Sequence, residues 1–243
     1  CDVQAKSLPL NRAGFVEKNP CRCVILKARI RFILRTFESL RLDFLYTNQY
    51  IKAMKHDSSQ IILDAACELF ALKGYGNSAV QEVCERAGLT KPSLYYKFGS
   101  KAGLLEALIA QRGGPLREAI TAAAAYRHDF PGTLAGILAA VLDFARKDAL
   151  FFRLHRSLAN APSESEAHAI HLPFDREIAA RYETLFVQSA AEFGNMRGKE
   201  ALYAVLFRNA VSSAVFAELN GQLTIDDAAA GKIIHSFIYG VAN

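Results

Sequence analysis

The sequence predicts an all-α protein: an N-terminal three-helix domain carrying a helix-turn-helix, followed by a helical bundle. Three observations predict it. From Ser58 onward, apolar residues recur at the three-and-four spacing of amphipathic helices in nearly every segment. Alternating strand patterns bounded by hairpin turns are missing. Only 15 Gly and 7 Pro occur in 243 residues, too few for a loop-rich β protein or a disordered chain. A chain of this length makes one or two domains. The expected division is a basic extension over 1–53, a first folded domain over 54–112 and a bundle over 113–243.

The elements follow from periodicity and end signals. Ile61, Ile62, Ala65, Ala66, Leu69 and Phe70 mark a first helix, with Gly74 as its C-terminal cap. Ser78 as N-cap and Gln81 at the third helical position read as a capping box. That box opens a short helix through Val80, Val83, Cys84 and Ala87, closed by Gly88. Thr90 caps the next helix, and Pro92 sits in its first turn, where a missing N–H costs nothing. Ser100 caps a fourth helix through Leu104, Leu105, Leu108 and Ile109, and Gly113-Gly114-Pro115 is expected to end it. Further helices are expected at 115–126, 131–147, 149–159, 167–193, 197–219 and 225–241, with a polar loop from Ala161 to Glu166.

Charge and cysteine usage narrow the function classes. The formal charge is +5, too small for a nucleic-acid coat protein. Residues 1–57 hold 11 lysines and arginines against 5 acidic residues, so the basic excess lies there. The segment reads as a backbone-following arm, as an amphipathic helix near Ile25–Phe44, or as translated upstream sequence before a start at Met54; the last is the leading expectation. Five cysteines at no metal or redox spacing fit free thiols in a reducing compartment, hence a cytoplasmic protein. The longest apolar stretch, Leu134 to Leu142, falls short of the ~18 residues of a membrane span.

The stretch Val80–Phe98 carries the function. Two short helices flank a tight turn at Gly88-Leu89, the spacing of a helix-turn-helix. Such a unit lays its second helix in the major groove of DNA. That helix bears Thr90, Lys91, Ser93, Tyr95, Tyr96 and Lys97, hydroxyls and ammonium groups suited to base edges and phosphates. Leu94 and Phe98, four apart, face the small core. Ser78 and Lys101, each near a helix N-terminus, are candidates to clamp phosphates.

Residues 65–109 resemble the DNA-binding domain of the tetracycline-repressor-like (TetR) family. The spaced elements are Phe70 to Tyr75, Ser78, Ala87 to Lys91, Leu94 to Phe98, and Ser100 to Leu104. The resemblance implies Thr90, Lys91 and Ser93 nearest the bases. It implies Tyr95 on a thymine methyl or a phosphate, and Tyr96 and Lys97 mostly on phosphates. Gln81 stands where many relatives carry Arg, which weakens one phosphate contact. The family implies a homodimer on a near-palindromic operator, with a small-molecule effector in the C-terminal helices. The last two helices, with a small-residue patch at Ala210, Ser212, Ser213 and Ala214, are the expected dimer face. Phe152, His155, Tyr182, Phe186, Arg208 and Asn209 are the candidate lining of a pocket for an apolar or aromatic ligand.

Other patterns weigh less. Gly74-Tyr75-Gly76 with Ala79 matches a dinucleotide fingerprint in letters but follows a helix, so no phosphate cradle forms. Residues 194–199 are one residue short of a P-loop. His168 and His171, three apart near Asp175, share a helix face and could hold a metal; a solvated polar loop running into a helix is the preferred reading. His155 is expected at the surface or a pocket rim, and Cys84 as a small buried hydrophobe. No cofactor is expected. No His-Glu-x-x-His, nucleophile elbow or catalytic carboxylate pair is found, so an enzyme is not expected. The expected function is a repressor released from its operator by a small ligand; the alternative is a DNA-binding activator, or a protein without an effector.

Overall fold

In the computed structural model of the chain, residues 58–193 and 196–240 are described. The expectations for the basic extension and the Met54 start lie outside them. The described residues form helices α1 (58–73), α2 (Val80–Ala87), α3 (Lys91–Phe98), α4 (Lys101–Ala123), α5 (Phe130–Lys147), α6 (Ala149–Ala159), α7 (Glu166–Ser189), α8 (Glu200–Leu219) and α9 (Asp227–Tyr239), with no strand among them.

Helices α1 to α3 close over one small core with the start of α4. Ile62, Phe70, Val83, Cys84, Leu94, Leu104, Leu105 and Leu108 are all nearly inaccessible. Gly88 ends α2 in the left-handed conformation (φ 64°), which favours glycine, and makes the tight turn into α3. Ser100 caps α4 by accepting from the Gly103 N–H at 2.9 Å.

Two end signals behave differently from expectation. The N-cap of α2 is Ala79, not Ser78, and Glu82 stands at the third position, its carboxylate accepting from the Ala79 N–H at 3.4 Å. The Ser78 hydroxyl donates instead to the carbonyls of Gly74 (2.8 Å) and Leu69 (3.3 Å), closing the end of α1. Nor does Gly113-Gly114-Pro115 end a helix: α4 runs on through it to Ala123, across the expected domain boundary at 113. Leu116 and Ile120 are buried beyond the proline, and that packing outweighs the missing backbone hydrogen bond. A Cβ on Gly113 would lie 2.7 Å from the Phe174 ring, so this glycine serves close helix approach.

The remaining helices form the bundle. Helix α7 packs on α4, α6 and α8, and α5 on α4, α6, α8 and α9. Arg112 on α4 ties the parts together: its guanidinium donates to Asp64 on α1 and, at 3.0 Å, to Asp148 at the α5–α6 elbow. Asp148 in turn caps α6 by accepting from the Phe151 N–H at 3.1 Å. Helix α8 is long and apolar enough to cross a membrane by length and composition, with mean hydropathy 1.2. It is nevertheless a bundle helix: Phe207, Val211 and Val215 are buried, and Arg208 pairs with Asp175 on α7 at 3.1 Å. Of the small-residue patch, Ser212 and Ala214 pack inward and only Ser213 is exposed. The solvent face of α8 instead presents Leu202, Val205 and Leu206, each about half exposed.

Candidate nucleic-acid interface and bundle interior

The second helix of the helix-turn-helix is held by the buried Leu94, with Phe98 partly buried against the same core. Lys91, Tyr95 and Tyr96 are exposed, Tyr96 at 78%. Thr90 sits at the N-cap without capping through its side chain; its hydroxyl shares a 3.0 Å hydrogen bond with Ser93. That couples the two hydroxyls at the leading end of α3. The Lys97 ammonium donates to the Ser59 hydroxyl at 3.0 Å, which braces α3 against α1. Gln81 is exposed and donates to Glu85 at 2.7 Å. Nearby cations are locally matched: Lys73 pairs with Glu82 at 2.7 Å, and Arg86 pairs with Glu68. The Lys73 hydrogen bond holds the Glu82 carboxyl below the usual carboxylate range.

Two expected phosphate clamps are placed otherwise. Ser78 is 2% exposed and its hydroxyl is spent on α1, so it does not face a ligand. Lys101 turns inward: its ammonium donates to the Tyr75 carbonyl at 2.5 Å and lies 4.2 Å above the Tyr75 ring. Burial lowers its pKa, opposed by the Glu166 carboxylate.

Of the six pocket candidates, Phe186 is the one that lines the described cavity of about 320 Å³, together with Phe130, Phe193, Met196, Tyr203, Phe237 and Ile238. Phe152 is buried against Phe216 instead, with ring centres 5.5 Å apart. Tyr182 is buried, and that burial raises its pKa. Asn209 is exposed on α8. The cavity residues missed from sequence share one signal: they sit at helix ends. Phe130 starts α5, Phe193 follows α7, Tyr203 lies in the first turn of α8 and Phe237 near the end of α9. An antiparallel bundle brings those ends together.

His155 is neither at the surface nor on a rim. It is buried on α6, and its Nδ1 lies 2.8 Å from Nε2 of His171, also buried, on α7. The reading of His171 as part of a solvated loop is therefore corrected. Burial drives both rings toward the neutral form, His155 well below the usual histidine range and His171 down to about 4. Asp175, one turn on from His171, accepts from Arg208 Nη1 at 3.1 and 3.2 Å. Cys84 is buried, as expected, and burial raises its pKa.

Fold and interface together define an all-helical protein with an N-terminal helix-turn-helix. Residues 62–108 match the family model for bacterial regulatory proteins of the tetR family. The chain is thus TetR-like in its N-terminal domain and fold. It is 33% identical over 64 residues to the HTH-type transcriptional regulator SrpR of Pseudomonas putida, covering 26% of this chain and 30% of that protein. It is 32% identical over 93 residues to the HTH-type transcriptional activator FasR of Mycolicibacterium smegmatis, covering 38% and 42%. Both matches span less than half of the relative's length. The solved structure of the transcriptional regulator FadR from Bacillus subtilis, in complex with stearoyl-CoA, superposes with a TM-score of 0.62 at 17% identity, covering 75% of this chain and 98% of that one. By their names these proteins are transcriptional regulators.

Proposed function

We propose that the protein is a DNA-binding transcriptional regulator whose helix α3 enters the major groove of an operator. The carrying observation is the division of labour on α3: Leu94 alone is buried, while Lys91, Tyr95 and Tyr96 are exposed beside the Thr90–Ser93 hydroxyl pair. One short helix reads few bases, so specificity calls for two copies on a near-palindromic site. The exposed apolar ridge Leu202, Val205 and Leu206 on α8 supports a homodimer through the last two helices.

The effector would be a small apolar molecule in the cavity walled by Phe130, Phe186, Phe193 and Phe237. Its size, about 320 Å³, lies at the lower end of ligand pockets, which run from about 300 to 1,000 Å³. Ligand would favour a dimer whose two α3 helices no longer match one turn of DNA, ~34–36 Å. A coupling of ~1–3 kcal/mol would change operator affinity about 5- to 150-fold. Release from the operator makes the protein a repressor. The FasR match keeps one second reading in play, that of an activator.

Fluorescence anisotropy with duplexes from upstream of its own gene and of neighbouring genes tests the reading. Saturable, sequence-dependent binding is expected. If no such duplex competes better than random DNA, the regulator reading falls; if ligands that fill the cavity leave operator affinity unchanged, the effector part falls.

A further inference from the structure

We propose that His155, His171 and Asp175 form a binding site for a divalent transition-metal ion of the zinc type. The three ligand atoms already lie within 4.8 Å of one another, inside the bundle. They come from two facing helices: His171 and Asp175 are four residues apart on one face of α7, and His155 projects from α6.

To hold one ion, the ligand atoms, now within 4.8 Å of one another, must converge on it. A tetrahedral zinc ion holds imidazole nitrogens at ~2.0–2.1 Å, which sets ligand nitrogens about 3.3 Å apart. Here Nδ1 of His155 and Nε2 of His171 are 2.8 Å apart, joined by one shared hydrogen. An ion would replace that hydrogen as the rings part by about half an ångström, within the reach of side-chain rotation. The walls hold the rings in place: Phe151 lies nearly parallel to His155 (interplanar angle 15°), and Phe174 meets it edge-on at 5.5 Å.

The carboxylate suits the role. One oxygen of Asp175 can take the ion while the other keeps its hydrogen bond from Arg208, the outer contact that orients a ligating carboxylate. Arg156 and Arg208 lie close enough to act on the pair electrostatically and oppose a cation. The site should therefore take ions with strong imidazole affinity, such as Zn²⁺ or Ni²⁺, and refuse Mg²⁺ and Ca²⁺, which want oxygen donors.

Equilibrium dialysis of the chelator-treated full chain against Zn²⁺, with metal counted by mass spectrometry, tests this. The cysteines of the full chain can also hold zinc, so the reading is the difference between wild type and His171→Asn or Asp175→Asn. One ion per chain fewer in each variant is expected, and a Zn²⁺-dependent rise in wild-type melting temperature that Mg²⁺ does not reproduce. Should a variant fail to fold, the visible spectrum of Co²⁺-loaded wild type, with its accessible cysteines alkylated and the buried Cys67 and Cys84 left as thiols, must show tetrahedral nitrogen and oxygen ligation. Equal zinc content in wild type and folded variants, or no tetrahedral cobalt signal in alkylated wild type, overturns the proposal.

Discussion

The phenol of Tyr75 donates a 2.6 Å hydrogen bond to the carboxylate of Glu166, 91 residues away in sequence. Tyr75 belongs to the turn between α1 and α2; Glu166 is the first residue of α7. Helix α7 then runs 24 residues, about 36 Å at 1.5 Å per residue, and carries Phe186 of the cavity near its far end. One helix, with Pro173 inside it, thus touches the helix-turn-helix at one end and the cavity at the other. Lys101 completes the contact by donating to the Tyr75 carbonyl.

Tyr75→Phe deletes the hydrogen bond while keeping the buried ring against Phe70, whose centre is 5.2 Å away. Hydrogen bonds to charged groups contribute ~1.5–3 kcal/mol, and exposure of Glu166 places this one near or below the lower limit. The urea midpoint should fall by the equivalent of about 1–1.5 kcal/mol with an unchanged slope. If the contact transmits the effector signal, Tyr75→Phe should also bring operator affinities with and without ligand closer together. Titrations in both states check this; a variant with full coupling removes Tyr75 from the path.

Gly113→Ala separates helix propensity from packing. In an open helix the change would stabilise, since alanine is favoured over glycine by ~1 kcal/mol. Here the new Cβ would meet Phe174 Cε2 at 2.7 Å and Cζ at 2.8 Å. Overpacking of this kind costs ~1–3 kcal/mol, so a net loss of stability is expected. Gly114→Ala, with nothing within 4 Å, is the control and should be neutral or stabilising on the same thermal melts.

Gly113 also marks what the sequence could and could not tell. The order of the helices was legible, mostly from buried residues at helical spacing, although α3 and α9 each bury only one side chain. The helix ends were not, because Gly113-Gly114-Pro115 spells a stop that Leu116, Ile120 and Phe174 overrule through tertiary packing. Ser78 failed by one residue for a similar reason: its hydroxyl serves the α1 carbonyls before it rather than the α2 amides after it. The exposed residues of α3 were readable from the helix-turn-helix spacing alone. The cavity and the histidine pair were not, since both depend on which helices face each other.

Cys67 should be inert despite being a free thiol. It is fully buried, and that burial pushes its pKa up to about 11; the nearby Arg112 guanidinium only partly opposes this. Thiolate is the reactive form, so its fraction at pH 8 is about one in a thousand. Reactivity should rise only as the pH approaches 11, since the folded state holds the proton that an ordinary thiol would lose near 9. Peptide mapping after iodoacetamide treatment of native protein at pH 8 should leave Cys67 unmodified, while urea-unfolded protein is alkylated there. Rapid native labelling would mean that α1 opens readily.

Variants on α3 should separate phosphate contacts from base reading. Lys97→Ala removes a cation, so affinity should drop for every duplex and the salt dependence should become shallower, by about 0.9 for each phosphate no longer neutralised. The variant also removes the brace to Ser59, so a melt must accompany the titration. Tyr96→Ala removes an uncharged phenol that is 78% exposed. Affinity should again fall for all sequences, but with the salt slope unchanged, because no counterion release depends on a neutral donor. Lys91 stands at the first position of α3, where groove-entering helices meet base edges. Lys91→Ala should therefore relax preference at one base pair per half-site, worth about 1–3 kcal/mol, while affinity for random DNA changes little. Selection of binding sites from a randomised duplex pool, run on all three variants, distinguishes these outcomes. A Lys91→Ala profile identical to wild type would move base recognition to Thr90, Ser93 and Tyr95.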